Sequence, residues 1–167
     1  TQAVKNWIKG LINDTKIPFI LVGTPECESI LDNLDDHGQL ARRFTTRIKL
    51  TNLRHQSSNK PSEYAKFTGG LSQMLSKKAD IEIDKSFRAA SEVLALYAAT
   101  IGNPAYTVTL FKHASLIALE DKRFTVTKRD FINAYDGLYL LDHEISGNPF
   151  EMDKKQIISS LNNYFRS

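Results

Sequence analysis

The chain has 167 residues, of which 41% are hydrophobic and 25% charged, as in a globular protein of one or two compact units. No apolar run approaches the roughly 20 residues of a membrane-spanning helix, and the amino-terminal segment lacks the apolar stretch of a signal peptide. We therefore expect a cytoplasmic protein with no membrane partner. The single cysteine, Cys27, excludes an intramolecular disulfide and a cysteine-based zinc site, and is expected to be a small buried residue.

The net charge of +3 hides an uneven distribution along the chain. No acidic residue lies between Asp36 and Glu63, so this interval predicts a surface of positive potential that favours a phosphate-bearing partner. The basic residues in the interval are Arg42, Arg43, Arg47, Lys49, Arg54 and Lys60.

The first elements alternate between helix and strand. Apolar residues at helical spacing predict a helix over Val4–Leu11. The segment Ile17–Val22 is apolar throughout, which is typical of a strand covered on both faces in a parallel sheet. Gly23–Glu26 predicts an exposed turn in which Thr24 caps a helix beginning at Pro25. The inner face of that helix would be formed by Ile30, Leu31 and Leu34.

A second strand is predicted over Phe44–Leu53, where apolar and polar residues alternate and one face should be buried. The polar segment Arg54–Ser62 contains a proline and indicates a linker. This divides the chain into an α/β part at 1–55, a helical domain at 56–142 and a carboxyl-terminal helical extension at 143–167.

Everything after the linker is predicted to be helical. Asp84, Asn103 and Thr127 stand where helix N-caps belong, and Gly102 stands where a C-cap belongs. The predicted helices cover Pro61–Ser76, Lys85–Ile101, Ala105–Asp121, Thr127–Leu140 and Met152–Phe165.

Two motifs lie on either side of the predicted helix, GTPE at residues 23–26 and QLARRF at residues 39–44. With this order of elements, the chain resembles the AAA+ ATPases, and more narrowly the TniB/TnsC type of transposition regulator. The resemblance covers about Trp7 to Asp136 and is most specific over residues 17–44. It implies the α/β end of a P-loop NTPase core, with two strands present, followed by an all-α helical lid, so that the chain is mostly helical overall.

The resemblance assigns sensor 1 to Thr24, whose hydroxyl would orient the attacking water beside a γ-phosphate with help from Glu26. It assigns the arginine finger to Arg43, or second to Arg42, acting on the nucleotide of a neighbouring protomer. From the residues alone, two other interpretations stay open. Thr24 can be a helix cap and nothing more, and the arginine pair can be a solvated helix end that complements the helix dipole.

Parts of an ATPase are missing from this sequence. None of the eight glycines belongs to a G-x-x-x-x-G-K-[S/T] loop, and no apolar strand ends in the acidic pair that would hold magnesium. By the resemblance, ATP and Mg2+ are bound in the intact protein by segments upstream of Thr1, and this chain alone should neither bind nor hydrolyse ATP. The lid also lacks the sensor 2 arginine of many AAA+ proteins. Either the lid does not touch the γ-phosphate, or Lys112 contacts it from an unusual place, and Tyr106 can pack against the nucleotide base or against the core domain.

The resemblance also implies partners. Relatives of this type assemble head-to-tail with neighbouring AAA+ protomers on duplex DNA and connect a target-site selector protein to the transposase. Arg47, Lys49 and Arg54 are weak candidates for contacts to the DNA backbone, and they can equally be the wet face of a strand.

Two other functions stay open. A fragment of a replication-initiator or clamp-loader ATPase would share the architecture but would usually keep a lid arginine. A non-catalytic helical module for protein interactions would need no nucleotide at all. No metal site is expected, because the histidines lack metal-ligand spacing, and the cluster Asp142, His143 and Glu144 is better explained as a polar helix end.

Overall fold

The computed structural model describes residues 2–15, 17–28, 31, 39–55, 61–138 and 145–166. The chain divides into two compact units, Thr1–Leu50 and Thr51–Ser167. We call them the amino-terminal unit and the helical unit. The division falls five residues before the one expected from the sequence, because residues 51–55 pack with the helices that follow.

The amino-terminal unit contains two helices and a tight turn. Helix α1 spans Gln2–Thr15 and confirms the first predicted helix, extending it past the expected break. A 3-10 turn at Pro25–Cys27 begins where the second helix was predicted, and the short helix α2 spans Gln39–Arg43. Leu31 is helical and half-buried, whereas Ile30 and Leu34 lie outside the described residues.

Both predicted strands of the amino-terminal unit are wrong in the described residues. Residues 17–24 and 44–53 have no regular secondary structure and pair with no strand, and most of their apolar side chains face solvent. Ile20 and Val22 are 87% and 88% exposed, and Ile48 and Leu50 are 81% and 87% exposed. An apolar pattern makes a strand only where a neighbouring strand supplies the hydrogen-bond ladder, and the described part of this unit supplies none.

The helical unit is mostly helix with one small sheet. Four of its five predicted helices are confirmed with small shifts at their ends, and the fifth, Lys85–Ile101, is divided. The elements are α3 (Glu63–Ala79), β1 (Glu82–Ile83), a 3-10 turn (Lys85–Arg88), α4 (Ala90–Thr100), α5 (Pro104–Glu120), β2 (Thr125–Val126), α6 (Lys128–Gly137) and α7 (Lys154–Tyr164). Helix α6 ends at Gly137, and the last two residues of the predicted helix, 139 and 140, lie outside the described residues.

The parallel pair β1 and β2 is the element that the sequence did not predict. Glu82 lies beside Thr125 and Ile83 beside Val126, and the Asp84 N–H donates to the Val126 carbonyl at 2.9 Å. Each strand has only two residues, which is too short to give an alternating pattern. The pair joins the segment after α3 to the segment before α6.

The predicted caps are confirmed at three positions and corrected at one. The Asp84 and Asn103 side chains accept hydrogen bonds from backbone N–H groups of the following turn, and Thr127 is the N-cap residue of α6. The C-cap of α4 is Ile101, with φ of 48°, and Gly102 follows it with φ of 72°. Gly102 is required there because a Cβ would collide with the Leu53 carbonyl oxygen.

The core of the helical unit combines an aromatic cluster with a buried polar network. Phe131 lies in contact with Phe87, Phe111 and Phe150, with ring centroids 4.5 to 5.6 Å apart. The Tyr64 hydroxyl donates to the Leu96 carbonyl at 2.9 Å and also lies 2.9 Å from the Thr100 hydroxyl and 3.2 Å from the Thr107 hydroxyl. Burial raises the pKa of Tyr64 to about 12, so the hydroxyl keeps its proton.

The carboxyl-terminal segment belongs to the same unit. Ile145 and Phe150 are buried, and the Asn148 side chain donates to the Ile132 carbonyl at 3.1 Å and to the Asp136 carboxylate at 2.9 Å. Helix α7 then packs against α4. In the described part of the chain, no helix combines the length and the apolar character that crossing a bilayer requires.

Candidate functional site

The turn after the first extended segment holds Thr24 and Glu26 together at the surface. The Cys27 N–H donates to the Thr24 carbonyl at 2.9 Å and closes the turn. A hydrogen bond from the Thr24 side chain, followed by one from the Glu26 backbone, lowers the pKa of Glu26. Glu26 is therefore an ionised acceptor at neutral pH, and hydroxyl and carboxylate together can orient a water molecule or cap the turn.

The glycine of the turn lies close to its cysteine. A Cβ on Gly23 would lie 2.7 Å from the Cys27 Sγ, so the cysteine side chain would have to move to admit it. Cys27 is exposed, with its Sγ 4.0 Å from the Thr24 Oγ1, so the expectation of a buried cysteine is wrong. The composition-based expectation fails because a cysteine in a tight surface turn has no core to enter.

The arginine pair stands at the end of α2. Leu40 is buried and anchors the helix, and the Phe44 N–H donates to the Leu40 carbonyl at 3.1 Å. Arg42 and Arg43 are both exposed in the last turn. The Arg43 Nη2 donates to the Asn13 Oδ1 at 3.3 Å, which ties the finger candidate to the last turn of α1.

Asn13 is the residue that sequence reasoning missed. The pair Asn13 and Asp14 predicted the end of a helix, but α1 continues to Thr15 and presents the Asn13 amide to Arg43. The contact joins residues 30 positions apart, and no local pattern signals such a long-range pair. Among the described residues of this unit, the structure brings together Thr24 with Glu26 and Asn13 with Arg43.

The basic candidates for DNA contact fall in two different units. Arg47 and Lys49 are exposed in the irregular segment after α2, where polar and apolar side chains alike face solvent. Arg54 is exposed in the helical unit. The described residues therefore contain no strand that carries all three side chains on its solvent-facing side.

Tyr106 and Lys112 lie on α5, and both are exposed. The Asn103 side chain accepts hydrogen bonds from the Ala105 and Tyr106 N–H groups, so Tyr106 lies in the first turn of the helix. Each residue of an α-helix turns the side-chain direction by about 100°, so two positions that are six residues apart point about 120° away from each other. Tyr106 and Lys112 therefore cannot grip one small ligand from the same helix face.

The described residues hold no group of three or more histidine, cysteine, aspartate or glutamate side chains that could bind a metal ion. His37 and the cluster Asp142, His143 and Glu144 lie outside those residues.

Comparison with known proteins finds no matching family model, no matching curated protein and no matching solved structure. Function is therefore inferred from the geometry of the chain and from its motifs.

Proposed function

We propose that this chain is the carboxyl-terminal part of an AAA+ transposition regulator of the TniB/TnsC type. The observation that supports the proposal is the placement of Arg43. It is exposed at the end of a helix anchored by the buried Leu40, and a hydrogen bond to Asn13 orients it. A planar, permanently charged guanidinium held outward in this way suits the developing charge of a phosphoryl group on a neighbouring protomer.

The extended segment before Thr24 gives further support. Ile20 and Val22 are apolar, exposed and followed directly by the polar turn of Thr24 and Glu26. In an open α/β sheet, ligands bind outside the carboxyl ends of strands, and a polar residue at such an end faces the ligand. We propose that these side chains pack against further strands of the ATPase core in the intact protein.

ATP and Mg2+ do not fit the residues of this chain alone. The sequence has no phosphate-binding loop, and the described residues have no acidic cluster for a cation. We propose that both are held by other segments of the intact protein. This chain would contribute Thr24 and Glu26 to its own protomer and Arg43 to the next one in a head-to-tail oligomer.

The remaining partners follow from the same proposal. The oligomer would assemble on duplex DNA and connect a target-site selector to the transposase. Arg47 and Lys49 are exposed, as sequence-independent contacts to phosphates require. Arg54 is the third candidate, in the helical unit.

The proposal is tested by Arg43→Ala in the intact protein that carries the phosphate-binding loop. A finger supplied across an interface is worth roughly 10³- to 10⁵-fold in rate, so ATP turnover should fall by about that factor while far-UV circular dichroism stays unchanged. Arg42→Ala is the matched control, because it removes the same charge from the same helix end and should cost much less. Unchanged turnover in Arg43→Ala refutes the assignment.

Mixing two inactive variants tests whether Arg43 acts on a neighbour. Thr24→Ala and Arg43→Ala protomers should each be inactive alone. In a mixed oligomer, an Arg43→Ala protomer keeps its Thr24 and can receive the arginine of a Thr24→Ala neighbour, so part of the turnover should return. No recovery at any mixing ratio would place both residues in the same site and contradict the proposed arrangement.

One observation favours a second candidate, a helical module for protein interactions. The helical unit buries its own core without help from the amino-terminal unit, as the aromatic cluster around Phe131 shows. Such a unit can fold and bind partners without nucleotide. If the Arg43→Ala variant binds its partners equally well with and without nucleotide in every assay, the result favours the interaction module and counts against the ATPase.

A further inference from the structure

Two segments of the chain carry the same short pattern of two basic residues, a phenylalanine and a threonine. The first runs from Arg42 to Thr45 with the sequence RRFT, and the second runs from Lys122 to Thr125 with the sequence KRFT. Arginine-directed serine/threonine kinases select a hydroxyl that follows basic residues at the second and third positions before it, because carboxylates of the kinase bind those cations. By sequence alone, both threonines are therefore candidates for phosphorylation.

The RRFT motif lies on the surface of the amino-terminal unit. Arg42 and Arg43 are exposed at the carboxyl end of α2, and Thr45 is exposed in the irregular segment that follows. Helix α2 has five residues, well below the roughly 12 that a helix needs to be stable by itself, so its last turn opens at small cost. Opening this turn breaks the hydrogen bond from the Phe44 N–H to the Leu40 carbonyl and allows the motif to lie extended in a kinase cleft.

The charges around Thr45 also suit such a kinase. The Arg43 hydrogen bond to Asn13 is 3.3 Å long and lies between exposed groups, so a carboxylate of the kinase can replace it. No acidic residue lies between Asp36 and Glu63. The sequence around Thr45 therefore places no negative charge against the acidic cleft that binds the two arginines.

The KRFT motif, in contrast, is held by the core of the helical unit. Arg123 donates to the Asp130 carboxylate at 2.9 and 2.6 Å, and only 2% of the Asp130 side chain is exposed. The Thr125 side chain is exposed, but its backbone belongs to β2, where the next residue, Val126, is completely buried. A kinase that binds both the cations and the extended backbone must break this ion pair and withdraw β2, which requires local unfolding of the unit.

We propose that Thr45 is a phosphorylation site for an arginine-directed serine/threonine kinase, whereas the same pattern at Thr125 is not used in the folded chain. The Thr45 Oγ1 attacks the γ-phosphorus of ATP, which forms a P–O bond and breaks the bond to the β-phosphate, so that ADP leaves. An aspartate of the kinase takes the hydroxyl proton. The product places up to about two negative charges beside Arg42 and Arg43. Phosphorylation is independent of the ATPase assignment, because the kinase binds the ATP.

The test compares the folded chain with two synthetic peptides, residues 39–50 and 119–130, in which the threonine occupies the same place. Each is incubated with the catalytic subunit of the cyclic-AMP-dependent protein kinase and with ATP labelled in its γ-phosphate, and mass spectrometry locates the phosphate. The chain and peptide 39–50 should be labelled at Thr45 at similar rates. Peptide 119–130 should also accept phosphate on Thr125. In the folded chain, labelling of Thr125 should be slower by about a hundredfold or more, because a buried ion pair must break first.

Variants of the full chain identify the acceptor and the recognition residues. Thr45→Ala should remove the label, and Thr45→Ser should restore it because the hydroxyl returns. Thr125→Ala is the matched control and should be labelled like the unaltered chain. Arg42→Ala and Arg43→Ala should each slow labelling by about tenfold or more, as expected when a charged hydrogen bond is lost. All four positions are exposed, so far-UV circular dichroism should show that every variant is folded.

Each of the other results overturns the proposal. A folded chain that stays unlabelled while peptide 39–50 is labelled would show that a kinase cannot reach Thr45. Phosphate on Thr46, which has Arg43 at the third position before it, would make the neighbouring residue the site. Equal rates at Thr125 in the chain and in its peptide would mean that the fold does not select between the motifs. Failure of either peptide to accept phosphate would show that the shared pattern is not what the kinase recognises.

Discussion

The two units treat similar apolar residues in opposite ways. In the helical unit, Phe131 and Val126 are fully buried, and the short strand β2 packs against α5. In the amino-terminal unit, Ile20 and Ile48 are more than four-fifths exposed, in segments without regular secondary structure. Apolar surface left in water forfeits about 25 cal/mol per Å² that burial would contribute. The helical unit therefore contains its own stabilising core, whereas most apolar side chains at residues 17–24 and 44–53 of the amino-terminal unit remain exposed to solvent.

The largest difference is expected for Phe131→Ala against Ile20→Ala. Removing the Phe131 ring from the aromatic cluster leaves a cavity and should lower the free energy of unfolding of the helical unit by about 3 to 5 kcal/mol. Ile20 is already exposed, so Ile20→Ala should change it by less than about 0.5 kcal/mol. Urea titrations followed by far-UV circular dichroism measure both values. A similar loss in the free energy of unfolding at the two positions would show that Ile20 is buried in solution.

An intermediate effect is expected at Asp130, in the first turn of α6, which pairs with Arg123 ahead of β2. Its carboxylate accepts hydrogen bonds from Arg123 at 2.9 and 2.6 Å and from the Thr127 N–H at 2.7 Å. Burial opposes ionisation, but the hydrogen bonds from Arg123 and Thr127 outweigh it and lower the pKa of Asp130 below its usual 3.8. In the same urea titrations, Asp130→Asn should cost about 2 kcal/mol, because it removes charged hydrogen bonds from a buried position.

The pH dependence gives the sign of that contribution. A carboxyl whose pKa is lowered by folding stabilises the protein above its unfolded pKa and loses the contribution as the pH falls through the folded value. The unaltered chain should therefore lose stability below about pH 4 more steeply than Asp130→Asn. Equal slopes for the two proteins in acid would mean that the Arg123 pairing contributes nothing, as many solvent-exposed ion pairs do.

Local patterns predicted the helical unit well and the amino-terminal unit poorly, for one physical reason. Helix hydrogen bonds and caps lie within a few residues, so Asp84 and Asn103 could be identified as caps from their neighbours alone. Strands depend on partners elsewhere in the chain. The same limit hid the parallel pair β1 and β2, and it made Ile17–Val22 look like a strand although the described residues give it no ladder.

The candidate site shows the same contrast. Thr24 and Glu26 are two positions apart, and their association was implied by the motif and is present in the structure as a hydrogen bond. Arg43 was identified by its motif, but its contact with Asn13 is 30 residues distant and could not be predicted from either segment. Long-range contacts of single polar side chains leave no periodic signal in a sequence.

The smallest effect on the helical unit, and the sharpest test of the amino-terminal one, is expected for Ile48→Thr combined with Leu50→Thr. Both side chains are exposed, so the free energy of unfolding of the helical unit should change by less than about 0.5 kcal/mol. Extended apolar chain without a partner promotes association, so size-exclusion chromatography with light scattering should show less self-association than the parent. Leu116→Thr, at an exposed position on α5, is the control and should leave association unchanged. If the parent is a monomer at every concentration, the exposed apolar residues at 17–24 and 44–53 do not need a partner. That result would favour the interaction-module function over the ATPase fragment.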